Sequence, residues 1–90
     1  MEVKFITYHL KPIEPSKIGG AYVNCFIESN SSKRAQEIAE RQIIELNWQI
    51  IEMEELTVIN QDTVDDDKRE YYEQALIDKE VFVFYTYPLE

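Results

Sequence analysis

Few side chains in this sequence are of types that move protons, hold metals or form covalent bonds. The one histidine, His9, stands near the end of a β-branched and aromatic run. An imidazole can act as a general base or a metal ligand near neutral pH. No partner Cys or His stands at ligand spacing from it, so a half-exposed strand histidine is expected instead. The one cysteine, Cys25, lies in an apolar alternation with no base beside it. Reactive thiols need nearby positive charge, and Cys25 is therefore expected to be buried and inert.

The densest carboxylate group is Asp65-Asp66-Asp67 with Asp62, Glu70 and Glu73 close by. Oxygen-rich loops bind calcium or magnesium, but the alternating ligands and turn glycine of a calcium loop are absent. Acids at a helix start interact favourably with the helix dipole, and that role is expected for this acidic flank. Gly19-Gly20 lacks the further glycines of a phosphate-binding loop and precedes a strand, so a turn is expected there. Trp48 and Tyr72 are expected to pack in the core, with Tyr71 more open. No Ser/His/Asp, Cys/His or paired-carboxylate set follows from the spacing. The expectation is no catalytic residue, no metal and no cofactor, and hence no enzyme.

These residues must be held by one domain. The 90 residues are too few for two domains, and a hydrophobic fraction of 44% is enough for a packed core. Eighteen acids oppose nine bases, a net charge of −9, which excludes a general binder of nucleic-acid backbones. The excess is regional. Residues 1–45 hold six bases and six acids, whereas residues 46–90 hold three bases and twelve acids. A single cysteine forms no intramolecular disulfide, and the first residues lack a signal-peptide pattern. No apolar stretch reaches the ~18 residues of a membrane span. A cytoplasmic protein with no membrane association is expected. The closing Leu89-Glu90 is as readily a cloning scar as native sequence, and no function is placed on it.

Periodicity supplies the elements. Residues 2–10 and 21–28 are rich in strand-forming types, separated by Pro12, Pro15 and the glycine pair. Ser29-Asn30-Ser31-Ser32 offers helix caps, and Ala35, Ile38, Ala39, Ile43 and Leu46 then mark one buried helix face. Glu37 and Arg41 are spaced to pair on its exposed side. Asn47 is the expected stop. Residues 48–59 read as a long strand whose alternation slips at Met53-Glu54-Glu55, where a bulge is expected. A second helix is expected over 66–78, with Tyr72, Ala75 and Leu76 inward, followed by a last strand over 80–87. Both helical connections fit crossover units. The fold class expected is α+β: a single domain over 1–90, a ββαβαβ two-layer sandwich with a four-stranded sheet and two helices on one face, ferredoxin-like.

In the last strand Val81, Val83 and Tyr85 point one way and Phe82, Phe84 and Thr86 the other. If the helices cover the small β-branched set, then Ile6, Tyr8, Tyr22, Asn24, Phe26, Phe82, Phe84 and Thr86 are left on the second face. That patch exceeds what soluble monomers usually expose. Its expected cover is a second copy of the chain, the Pro12–Gly20 or acidic loop, or a ligand.

The stretches from Gly19 to Glu28, from Asn47 to Glu52, from Tyr71 to Asp78 and from Val81 to Phe84 resemble small bacterial α/β domains of uncharacterised function. The resemblance covers most of the chain and carries no catalytic motif, so no functional residue transfers with it. It implies a stand-alone bacterial protein.

Three functions fit. The first is a non-enzymatic binding or regulatory module, homodimeric through the aromatic sheet face. The second is an acidic inhibitor, either of immunity type or a nucleic-acid mimic, for a basic protein partner. The third is a small-ligand sensor or enzyme with Asn24, Thr86 and Tyr8 as polar contacts.

Overall fold

The two strands that open the chain form the centre of the sheet, and the helix-linked strands are added outside them. In the computed structural model, which describes residues 2–89, the elements are β1 (Val3–Pro12), β2 (Ile18–Glu28), α1 (Ser32–Glu45), β3 (Trp48–Ile59), α2 (Arg69–Asp78) and β4 (Glu80–Pro88). Of the expected closing scar, Glu90 lies outside the described residues. The sheet order is β3-β1-β2-β4, with every neighbour antiparallel. The fold is α+β with a four-stranded sheet and two helices, as expected, but its strand order is not ferredoxin-like. Strands β2 and β3 run the same way with β1 between them, so α1 makes a parallel crossover. Strands β3 and β4 run oppositely at the two edges, so α2 does not.

The helices pack on opposite faces, not on one. Ala35, Ala39 and Ile43 of α1 are buried against Ile6, Tyr8 and Leu10 of β1 and Val23, Cys25 and Ile27 of β2. Tyr72 and Ala75 of α2 are buried against Val3, Phe5 and Phe26, with Leu76, Val81 and Val83 packed beside them. Residues of β1 with even numbers therefore face α1 and those with odd numbers face α2. Both faces of the central strands are apolar where a helix lies over them, as burial on both sides requires.

Local chemistry sets the helix ends. Ser31 caps α1, its hydroxyl accepting the Arg34 N–H at 3.2 Å. Asn47, at φ 67°, ends it, since asparagine tolerates the left-handed region. Leu46 is exposed at the helix end instead of buried, and Glu37 pairs with Arg34 at 3.8 Å instead of with Arg41. Helix α2 starts at Arg69, three residues later than expected, after a turn over Asp66–Lys68. Asp65, Asp66 and Asp67 precede the helix, and only Glu70 of the acidic flank lies in its first turn. The triad is held by the chain's own bases: Lys68 reaches Asp65 at 3.6 Å and Asp67 at 3.8 Å, and Arg69 reaches Asp66 at 3.9 Å.

Strand β3 contains the expected bulge and a second one. Thr7 pairs with Glu55 and Tyr8 with Met53, leaving Glu54 as the extra residue. His9 pairs with Glu52 and Leu10 with Ile50, leaving Ile51 as the extra residue. The two insertions re-phase the strand. Trp48, Ile50, Met53, Leu56 and Val58 then share the α1 side, and Gln49, Glu52, Glu55, Thr57 and Ile59 the α2 side.

Gly19 and Gly20 lie inside β2, not in a turn, at a register shift against β4. A Cβ on Gly20 would strike the Tyr87 ring and stand 2.7 Å from the Leu10 carbonyl oxygen. Gly20→Ala is therefore expected to destabilise the fold by about 1–3 kcal/mol, the usual cost of overpacking, read as a lower urea midpoint at unchanged slope.

Candidate functional site

On the α2 side the sheet is only partly covered. Register places four rows across it, each running from β3 to β4. Thr57, Phe5, Phe26 and Val81 lie beneath α2. The next row is Glu55, Thr7, Asn24 and Val83, and the one after it Glu52, His9, Tyr22 and Tyr85. Gln49, Lys11, Gly20 and Tyr87 follow at the far end. Beyond the reach of α2, the strands present polar and aromatic groups to solvent.

These groups hold one another in place. The His9 and Tyr22 rings stack at 4.5 Å between centroids, with planes 12° apart. Tyr87 leans over Gly20, and its hydroxyl stands 2.7 Å from His9 Nε2, a hydrogen bond whose donor the imidazole tautomer decides. The Thr7 hydroxyl donates to Asn24 Oδ1 at 3.1 Å. Tyr22 is 39% and Tyr85 52% exposed, while His9 and Tyr87 are half-buried. The result is an aromatic platform on which the Tyr22 and Tyr85 side chains remain exposed. Its β3 border is acidic: Glu52 and Glu55 are exposed, and among the described residues neither forms a salt bridge. The one lysine in these rows, Lys11, stands in the last of them.

The set expected to form one interface or ligand face is divided between the two faces. Ile6 and Tyr8 are fully buried under α1, and Phe82 and Phe84 pack half-buried against the same core. Thr86, paired with Ala21, is also on the α1 side. On the other face Phe26 is buried under α2, and only Tyr22 and Asn24 reach the open platform. Alternation within each strand was legible, but the phase between strands was not. Cross-strand pairing places Cys25 opposite Ile6 and Phe82, and Phe26 opposite Phe5 and Val81. Thr7, His9, Tyr85 and Tyr87 were missed for the same reason. Their signal was the strand alternation that links His9 with Thr7 and Tyr85 with Tyr87.

The other candidates have structural roles. The Tyr8 hydroxyl donates to Glu40 Oε2 at 3.0 Å, tying β1 to α1. Lys4 is 2% exposed, and its ammonium donates to Glu2 Oε1 and to the Ser29 carbonyl, each at 2.9 Å. Trp48 and Phe84 reach toward each other from opposite edges, with centroids 6.2 Å apart. A groove of about 440 Å³ beside them is lined by Ile13, Ile44, Trp48, Gln49 and Ile50 and offers no titratable group. Among the described residues no group of three or more His, Cys, Asp or Glu side chains is placed to hold a metal ion. No described helix is long and apolar enough to cross a membrane.

The fold and platform define an α/β sandwich with one partly uncovered sheet face. Compared with known families, curated proteins and solved structures, the chain matches no family model, no curated protein and no solved structure.

Two buried groups make the fold sensitive to alkali. Burial pushes the Cys25 thiol from its ordinary 9.0 up to about 12. Burial, reinforced by the Glu40 carboxylate, raises the Tyr8 phenol above its ordinary 10.0. Above pH 9 the folded chain keeps protons that the unfolded chain releases, so stability must fall as pH rises. The melting temperature is expected to decline from about pH 9 in the unaltered chain, and Cys25→Ala to delay that decline toward pH 10. Thermal melts across pH 7–12 check this, and a profile unchanged in the variant would remove Cys25 from the explanation.

Proposed function

We propose that this protein is a non-catalytic binding module whose working surface is the tyrosine–histidine platform, and that its partner is a basic protein segment. The observation that carries the reading is the row Glu52, His9, Tyr22, Tyr85, which puts an exposed carboxylate and two exposed tyrosines in one line across the sheet, with His9 between them. Arginine and lysine recognise that pairing: the cation lies over an open ring face while its N–H groups reach a carboxylate. A net charge of −9 supports the same partner, because an acidic molecule attracts a basic one and speeds its docking.

The Asp65–Asp67 cluster is the weaker candidate for the contact. Its carboxylates already pair with Lys68 and Arg69. Among the described residues Glu52 and Glu55 pair with no base, and Glu55 accepts only the Thr57 hydroxyl at 2.9 Å, so a basic ligand need break no ion pair to reach them.

Titration of the isotopically labelled chain with an arginine-containing peptide separates the two surfaces. Amide shifts are expected at residues 7, 9, 22, 24, 52, 55, 85 and 87, with binding that weakens as salt rises. Tyr22→Ala and Tyr85→Ala are each expected to weaken binding about twofold to fivefold, equivalent to the ~0.5–1 kcal/mol of an exposed cation–π contact. Shifts confined to residues 62–70, or none at all, would sink the proposal.

A further inference from the structure

The two edges of the sheet are not alike. Strand β3 is interrupted by two bulges and carries Glu52, Glu54 and Glu55, devices that stop another strand from pairing with it. Between its end residues Glu80 and Pro88, strand β4 has neither. Its pairing with β2 is regular from Glu80 to Tyr87 apart from the shift at Gly20, and Val81–Tyr87 contains no charge. Every residue of that run is of a strand-favouring type. Val81, Phe82, Val83 and Phe84 point alternately to the two faces, yet all four are only half-buried. Of the matching residues of the interior strand, Val23, Cys25 and Phe26 are buried and only Asn24, opposite Val83, is half-buried. Half-exposure on both faces at once is what a missing neighbouring strand leaves.

We propose that the neighbour is β4 of a second copy, paired antiparallel about a two-fold axis to give one continuous eight-stranded sheet. The self-complementary sequence of β4 selects this occupant, and charge selects where it meets the first copy. Each copy carries −9, so two copies repel most through their acidic surfaces, and the uncharged run of β4 is where they approach at the least cost. Centred on Phe84, the pairing sets Val83 against Tyr85 of the partner subunit and Phe82 against Thr86 of the partner subunit. Paired residues then share a face, and β-branched residues meet aromatics, as cross-strand pairs favour. The contact is isologous and closes at two copies, because the outer edges of the joined sheet are the bulged β3 strands. The proposal does not depend on the basic-partner reading. If both hold, the two platforms lie on the same side of one sheet.

Sedimentation equilibrium of the unaltered chain is expected to give twice the 10.7 kDa chain mass. Tyr85→Lys and Thr86→Lys alter exposed β4 side chains on the two faces, and each is expected to restore the single-chain mass while circular dichroism stays unchanged. Glu54→Lys on β3 is expected to leave the dimer intact. Hydrogen exchange of the unaltered chain supplies a readout that does not depend on how the variants fold. Amides within residues 81–87 are expected to gain protection as protein concentration rises into the dimer range. A single-chain mass at millimolar concentration would overturn the proposal. So would assemblies larger than two, or a dimer whose β4 amides gain no protection.

Discussion

Ten helical residues extend about 15 Å, whereas a nine- to eleven-residue strand extends about 30–36 Å. Helix α2 can therefore span at most about half the length of the sheet face on which it lies. Its sequence shows where that half falls: Tyr72 and Ala75 meet Val3, Phe5 and Phe26 at one end of the strands. Beyond them nothing apolar is needed, and the face changes to Thr7, Asn24, His9, Tyr22, Tyr85 and Tyr87. Helix α1, with fourteen residues, covers more of its own side, and there β1 stays apolar from Ile6 to Leu10. The platform is thus a consequence of helix length.

A platform of this kind also needs its groups to point the same way in all four strands. In β1, β2 and β4 simple alternation does this. In β3 it does not, because the side chains that must face α1 are spaced unevenly at 48, 50, 53, 56 and 58. The extra residues Ile51 and Glu54 absorb the mismatch. Each returns the strand to phase, so that Glu52 comes beside His9 and Glu55 beside Thr7 on one face while Met53 and Leu56 lie on the other. Without the bulges, a strict two-residue period from Ile50 would turn Glu52 toward α1, where a charge without a partner is costly. The same irregularity keeps the β3 edge from accepting another strand. One local device therefore serves the core, the acidic border and the control of the edge.

Periodicity made the elements legible. The buried α1 stripe of Ala35, Ala39 and Ile43, the stop at Asn47, the slip at Met53–Glu55 and the inward Tyr72 and Ala75 all rest on spacings within one element. The layer arrangement was not legible, because it depends on relations between elements. Nothing in β1 alone says whether Ile6 shares a face with Cys25 or with Phe26, and a change of one residue in register exchanges the faces completely. Placing both helices on one side then sorted Ile6, Tyr8, Phe82 and Phe84 with Tyr22 and Asn24. The start of α2 was misplaced for a different reason. Asp65–Asp67 look like acids at a helix N-terminus, but their partners are the side chains of Lys68 and Arg69, and the helix begins only at Arg69.

The distribution of charge follows from the same geometry. Acids gather where the backbone would otherwise be open to another chain or where two of the few bases need partners: along β3, and in the approach to α2. They are absent from the run Val81–Tyr87 of β4, which is held by β2 on one side and has no described strand on the other. In a chain with twice as many acids as bases, a seven-residue uncharged edge is a local exception to the composition. Its side chains cannot all be accounted for by the core, since α1 and α2 each reach only one face of it and leave Val81–Phe84 half-covered on both. The second half of the chain therefore combines two kinds of surface: an acidic one that resists strand pairing, and a neutral one whose backbone and side chains remain open to it.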